Sequence, residues 1–411
     1  MLKNILKNSI LTALIRGASF GVRIFALLIA ARYSEPAYFA TIALFFTVAE
    51  IGRLLADFGI DTYTMREYAS HRNKAVLRQT IGAAMSAKLM LGLLVAIAST
   101  AVMLHLRPGE LGSTLPFALM VMSPLLMNLP INFFIAKMRG RHIAPFVAMA
   151  GLLSLGVFYG LFTFASNPAL AFFSIPAAEA LVGLFLIAKV PVMRGSLACL
   201  NFPGMLKLLK MTLPIAAATI LGITYGRMDV FFLEKFRSAE ELGLYAFAVR
   251  LVEPFQFIAG ALAVNAYGHI AASLKTSVAA ASAVNARYRK VMALYAGLAL
   301  LTVLVLANVL LVYTFKQYAA AQAMLNVTGC ILIFKCGNLI STAAIQAHGK
   351  YKFITSVAVW NFTFLSVAMV LLVPRFGAYG ALFSILAMES LNFLIQNILL
   401  RKLQKSNNKD D

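Results

Sequence analysis

The sequence predicts an all-α polytopic membrane protein, with twelve transmembrane helices in two six-helix bundles around a central cavity. Three observations carry that prediction. Of 411 residues, 61% are hydrophobic and only 12% charged, a balance far outside that of soluble globular chains. Apolar windows long enough to cross a bilayer recur along the whole chain. Several short strings from the first half return in the second.

The windows fall at about residues 9–33, 37–59, 80–104, 115–136, 144–165, 168–189, 212–234, 242–268, 291–313, 319–345, 352–373 and 377–400. Each holds roughly 20 or more residues, enough for the ~30 Å hydrocarbon core at 1.5 Å per residue. Short turns of Pro, Gly and polar residues separate them: Ser34-Glu35-Pro36, Arg107-Pro108-Gly109-Glu110, Ser166-Asn167-Pro168 and Pro374-Arg375-Phe376-Gly377. Lys3 and Lys7 precede an apolar run in the manner of a secretory signal, but Arg16 interrupts that run and no small-x-small cleavage site closes it. The segment therefore reads as the first span.

Lys and Arg concentrate in the loops on the side of the N-terminus, for example Arg66, Arg72, Lys74 and Arg78 after span 2, and in the C-terminal tail. By the positive-inside rule both termini are cytoplasmic. The formal net charge of +21 is then a topology signal with added attraction for anionic headgroups, not a nucleic-acid-binding surface.

The repeat has a spacing of about 207 to 210 residues. Pro36-Ala37-Tyr38-Phe39-Ala40 is echoed by Leu242-Gly243-Leu244-Tyr245-Ala246, Ala136 to Arg141 by Gln346 to Lys350, and Ala178-Glu179-Ala180-Leu181 by Met388-Glu389-Ser390-Leu391. Six spans per unit give both units one orientation, with an axis along the membrane normal and the binding site between halves. The expected organisation is an N-terminal bundle over 1–195, a cytoplasmic interfacial linker over 196–213 and a C-terminal bundle over 214–411. The linker holds Pro203, Gly204 and the basic amphipathic piece Met205 to Lys210.

Charges inside the spans are costly, about 2.5 to 3.5 kcal/mol for an arginine near mid-membrane. Seven bases lie there (Arg16, Arg23, Arg53, Lys88, Arg227, Arg250, Lys335) against six acids (Glu50, Asp57, Glu179, Asp229, Glu253, Glu389). Arg16 and Arg23, seven residues apart, share a helix face. Glu50, Arg53 and Asp57 share another at spacings of three and four, and pair along span 2 or serve as coupling groups. Lys88 is close enough to its helix end to snorkel. Arg227 and Asp229 lie on opposite faces, so Asp229 is expected to meet Arg250 across the turn to span 8, leaving Arg227 for the cavity. Glu253 shares a face with Arg250. Lys335 is too deep to snorkel. Glu179 and Glu389, at matching repeat positions, read as helix-packing or headgroup contacts. Arg16, Arg23 and Lys335 have no acidic partner nearby in the sequence. With Arg227 they are the expected substrate-binding residues, and unpaired cations in a wet cavity suit phosphate or pyrophosphate. Pro124, Pro130 and Pro254 mark candidate bends.

Other chemistries find little support. Cys199, Cys330 and Cys336 have no metal-ligand spacing. The nearest string to a phosphate-binding loop, His348-Gly349-Lys350-Tyr351, lacks the loop's first glycine and its Ser/Thr. No cofactor, metal or catalytic residue is expected, and any pumping draws on a gradient or on substrate flux. A cation-coupled drug antiporter is expected to leave unpaired acids, and a polysaccharide polymerase to need a large outer loop.

Ala56-Asp57-Phe58-Gly59-Ile60-Asp61 running on to Met65-Arg66-Glu67-Tyr68-Ala69, Tyr225 to Asp229 with Leu242 to Tyr245 and Val249-Arg250-Leu251, and Leu372 to Gly377 with Gly380-Ala381-Leu382 together resemble the polysaccharide transporter family. That family includes the O-antigen flippases and belongs to the multidrug/oligosaccharidyl-lipid/polysaccharide exporter superfamily. The resemblance covers nearly the whole chain. It implies two six-helix bundles forming a V with alternating access, in the bacterial inner membrane. The implied substrate is an undecaprenyl-pyrophosphate-linked oligosaccharide moved from the cytoplasmic to the periplasmic leaflet. The partners it implies are that lipid, the surrounding membrane, and the polysaccharide polymerase and chain-length machinery, with no nucleic acid. The short tail after span 12 differs from the lipid II flippases, which carry extra helices.

Overall fold

The computed structural model describes residues 17, 20–70, 73–108, 111–137, 142–165, 168–191, 193, 194, 201–274 and 276–407. Arg16, Cys199, the Gly109-Glu110 turn and residues 138–141 of the repeat lie outside them. The described residues are helical throughout: α1 (20–32), α2 (Pro36–Asp57), α3 (Ile60–Ser70), α4 (Lys74–Leu106), α5 (Leu111–Ala136), α6 (Ala144–Phe164) and α7 (Ser174–Lys189), then α8 (Phe202–Phe236), α9 (Ala239–Leu274), α10 (Val278–Thr302), α11 (Asn308–Tyr313), α12 (Gln322–Ala347) and α13 (Tyr351–Asn407). A 3₁₀ turn, Pro168–Phe173, leads into α7, a π turn, Val303–Ala307, joins α10 to α11, and a second 3₁₀ turn, Lys316–Ala321, leads into α12.

Among these residues nine helices are long and apolar enough to cross a membrane, and α8 adds a tenth as two segments bent by 44°. α13, 57 residues long and already one of the nine, adds one more when read as two spans on either side of Gly377, and α1 is the described part of the first window. The turn inside α13 falls where Pro374-Arg375-Phe376-Gly377 predicts it. Gly377 adopts φ +58°, a left-handed conformation open to glycine at no steric cost. Glu241 accepts a hydrogen bond from the Ala378 amide (2.6 Å), and Arg237 Nε donates to the Val373 carbonyl (3.2 Å). These bonds fix the ends of the turn.

One helix is absent from the apolar pattern. Between α2 and α3, Phe58 and Gly59 both take positive φ (+49° and +75°) and end α2 where the second apolar window ends, and α3 follows as a separate helix. Elsewhere the caps follow local chemistry. Asn73 accepts from the Ala75 amide at the start of α4, and Ser277 from the Ala280 amide at the start of α10. The Met205–Lys210 piece is the first part of α8, with Met205 and Leu208 buried and Leu206, Lys207 and Lys210 exposed.

The chain divides into two units, one taking the described residues up to Tyr33 with Thr41–Ile223, the other Ser34–Ala40 with the described residues from Thr224 onward. In the first, Phe45, Phe117, Phe158, Phe162 and Phe172 pack ring against ring, and a second core gathers Ile60, Tyr68, Ile81, Leu129 and Leu208. In the second, Phe39 joins Phe247, Phe315 and Tyr318. Leu152, Phe164, Val264 and Leu294 point outward, as expected where lipid is the solvent.

Candidate functional site

The intramembrane charges resolve into three clusters plus one incompletely paired group. In the first unit Arg23, 6% exposed, donates through Nη2 to Glu179 Oε1 at 2.5 Å, and Ser123 Oγ donates to Glu179 Oε2 at 2.7 Å. Helices α1, α5 and α7 thereby saturate one carboxylate. Arg23 Nε has no partner. Beside the pair is a cavity of about 30 Å³ lined by Val22, Met127, Gly151, Ser154 and Glu179, room for about one water. The sequence gives Arg23 no acidic neighbour. Its partner lies 156 residues away, so the expectation that Arg23 is unpaired is corrected.

Lys88 is also corrected. It does not snorkel. It is 2% exposed, and its ammonium reaches Asp57 at 2.7 Å and Asp61 at 2.8 Å. Asn128 Nδ2 donates to the other oxygen of Asp61 (3.0 Å), and the Asp61 amide donates to Asp57 (3.2 Å). Asp57 ends α2 and Asp61 lies in the first turn of α3, so one ammonium ties both sides of the break. Asp57 takes its salt bridge from α4. Arg53 and Glu50 stand one and two turns earlier on α2, both half-buried.

In the second unit the expected Asp229–Arg250 bridge does not form. Asp229 Oδ2 instead accepts from the buried Tyr245 hydroxyl, and Asp229 Oδ1 has no partner. Glu253 takes both arginines: Arg250 Nη1 at 3.0 Å within α9, and Arg227 Nη1 at 2.5 Å from α8. Arg227 is therefore engaged, though its side chain is still 23% exposed. The facing of Arg250 and Glu253 three residues apart is as read from the sequence.

Lys335 is the exception. Its Nζ makes one hydrogen bond among the described residues, a long 3.4 Å contact to Gln256 Oε1. Glu389, 9% exposed, feels the Lys335 charge but makes no ion pair with it. Glu389 Oε2 instead accepts from Asn338 Nδ2 at 2.6 Å. From Glu389 toward the C-terminal end of α13 the interface with α12 carries polar groups at successive turns. Gln396 donates to Asn392 (2.8 Å), Thr342 donates to Gln396 (3.1 Å), and Arg289 of α10 reaches Asn397 (2.5 Å).

Asp61, Ser123, Tyr245, Gln256 and Asn338 are the partners that sequence reasoning missed. Two carried a signal: Asp61 is four residues beyond Asp57, and Asn338 three beyond Lys335, each on the face of the charge already singled out. Ser123, Tyr245 and Gln256 carried none. Cys330 and Cys336 are free thiols. Among the described residues no group of three or more His, Cys, Asp or Glu could hold a metal ion.

Among the described residues, long apolar helices whose buried charges pair from one helix to another define a polytopic α-helical membrane protein. Residues 5–267 match the family model described as polysaccharide biosynthesis protein. The chain belongs to that family. No curated protein matches it. Its fold is that of the multidrug/oligosaccharidyl-lipid/polysaccharide superfamily. An inward-facing multidrug resistance MATE transporter of that superfamily superposes with TM-score 0.69 at 15% identity, over 97% of this chain and 96% of the other. An outward-facing MATE transporter gives 0.62 at 13% identity, over 100% and 97%. The lipid II flippase MurJ, in an inward closed conformation, gives 0.68 at 11% identity, over 95% and 87%.

Proposed function

We propose that this chain is a flippase that moves an undecaprenyl-pyrophosphate-linked oligosaccharide, an O-antigen or other surface-polysaccharide repeat unit, from the cytoplasmic to the periplasmic leaflet by alternating access. It works in the bacterial inner membrane with both termini cytoplasmic, and hands its cargo to the polymerase and chain-length machinery. The observation that carries the reading is Lys335, a mid-span, half-buried ammonium whose one hydrogen bond among the described residues is to a neutral amide at 3.4 Å. A cation left so poorly satisfied within a span is poised for an anionic guest. Arg227, whose side chain is 23% exposed, is the second contact. Arg23, closed onto Glu179, acts by positioning α1. The family match supports the link to polysaccharide assembly.

The test is complementation of a deletion strain at matched protein level. Wild type restores surface polysaccharide. Lys335→Ala restores little and leaves lipid-linked sugar in the cytoplasmic leaflet. Full restoration by Lys335→Ala and by Arg227→Ala sinks the anion-binding assignment. Resistance to cationic drugs in place of restored polysaccharide supports the antiporter reading.

A further inference from the structure

Glu389 poses a problem that Glu179 does not. The two stand at matching repeat positions. Glu179 has a guanidinium on one oxygen and a hydroxyl on the other, whereas Glu389 has a single amide and a lysine that is held elsewhere. A carboxylate 9% exposed within a membrane span does not stay ionised without compensation. It is neutralised by a proton or by a cation at contact distance.

The surroundings offer both. Titratable groups facing Glu389 are Lys335 from α12 and Tyr225 from α8. The neighbouring polar groups are neutral: Gln256 of α9 on the Lys335 ammonium, Asn338 of α12, and Asn392 one turn along α13. The nearest charge contributed by α10 is Arg289, held on Asn397 two turns away. Asn338 is 95% buried (5% exposed) and keeps its Oδ1 without a partner, as does Ser341 Oγ one turn further, which is 1% exposed. Unpartnered acceptors beside a buried acid, continued by Gln396, Thr342 and Asn392, form a polar seam along which a proton or a water can be carried.

We propose that Glu389 is a reversible proton-binding site and that Lys335 sets its occupancy. With the Lys335 ammonium turned to Glu389, the pair is neutral and the carboxylate stays ionised. When an anionic group draws Lys335 away, Glu389 loses its counter-charge and takes one proton from water. The carboxyl O–H bond forms as one O–H bond of a hydronium ion breaks and releases water, and one positive charge enters with one negative charge. By linkage the two events are reciprocal: anion binding promotes protonation, and acid promotes anion binding. With one proton linked, anion affinity falls about tenfold per pH unit between the Glu389 midpoint without the anion and the raised midpoint with it, and levels off on either side. The anion half of this inference rests on the function proposed above. The proton half does not.

The decisive measurement is an infrared titration of the purified full chain in lipid nanodiscs, following the C=O stretch of protonated carboxyl groups. Wild type is expected to show a titrating band that Glu389→Gln lacks and Glu389→Asp retains at a displaced position, with its midpoint raised in Lys335→Gln. No such band at any pH, or a midpoint indifferent to Lys335→Gln, overturns the proton site. Farnesyl pyrophosphate is then added, with its binding followed by calorimetry. A raised midpoint in wild type but not in Lys335→Gln supports the linkage, and binding without any change of midpoint overturns it. If farnesyl pyrophosphate does not bind, the pyrophosphate reading falls together with the linkage, while the midpoints without ligand still decide the proton site.

Discussion

The two units carry a glutamate at the same place in their last span and use it in opposite ways. In the first, Glu179 is drawn to Arg23 of α1 and Ser123 of α5, and both of its oxygens are occupied. In the second, the arginine of the corresponding region, Arg227 of α8, goes to Glu253 instead. Glu389 is left with Asn338 and a distant Lys335. The repeat preserves the position of the acid but not of its base. One unit is thereby stapled through its last span, while the other holds an acid and a base that each lack a full partner. Electrostatic closure is structural where it is complete and available for chemistry where it is not.

Breaking the closed side should have the largest effect. Arg23→Leu leaves Glu179 as a buried, uncompensated charge, and loss of one partner of such a pair costs about 3–5 kcal/mol. Thermal unfolding in detergent should show that loss, and Arg23→Leu with Glu179→Leu should recover most of it, since an apolar pair of similar volume is tolerated. A single variant as stable as wild type would show that the pair is not closed.

Lys88→Met comes next, with a loss of about 3 kcal/mol, because it leaves Asp57 and Asp61 facing each other across the α2–α3 break. Asp61→Asn should lose less, since Lys88 keeps Asp57. Hydrogen exchange on α3 should localise the effect. Uniform protection in Lys88→Met would show that the ammonium does not hold the break.

Much of the fold was legible, and for identifiable reasons. Apolar windows give the spans because lipid demands them, and Pro374 to Gly377 gives the last turn because only a residue such as Gly377 takes φ +58° freely. The break at Phe58-Gly59 falls at the end of the second apolar window, where Gly59 takes positive φ, but the polar helix α3 beyond it carries no apolar pattern to mark it. The charged site was legible only within a helix. Arg250 and Glu253, three apart, were placed on one face, where they pair, although Arg250 was expected on Asp229. Arg23 with Glu179, Lys88 with Asp57 and Asp61, and Asp229 with Tyr245 join different helices, and spacing along one chain contains no information on which helices meet.

The open side should respond least, and that asymmetry is the sharpest form of the comparison. Glu389→Gln keeps an oxygen for the Asn338 amide and removes a charge with no close counter-ion, so its stability should change by less than about 1 kcal/mol, within the range of single intramembrane hydrogen bonds. Glu179→Gln, which strips the charge from a saturated ion pair, should lose several times more. Gln256→Leu removes only the long 3.4 Å contact to Lys335, and bonds of that length contribute little, so a change of about 0.5 kcal/mol or less is expected. Parallel melts of these three variants test the contrast directly. Equal losses for Glu179→Gln and Glu389→Gln would mean that Glu389 is as tightly compensated as its repeat partner, and a large loss for Gln256→Leu would mean that Lys335 is anchored rather than available.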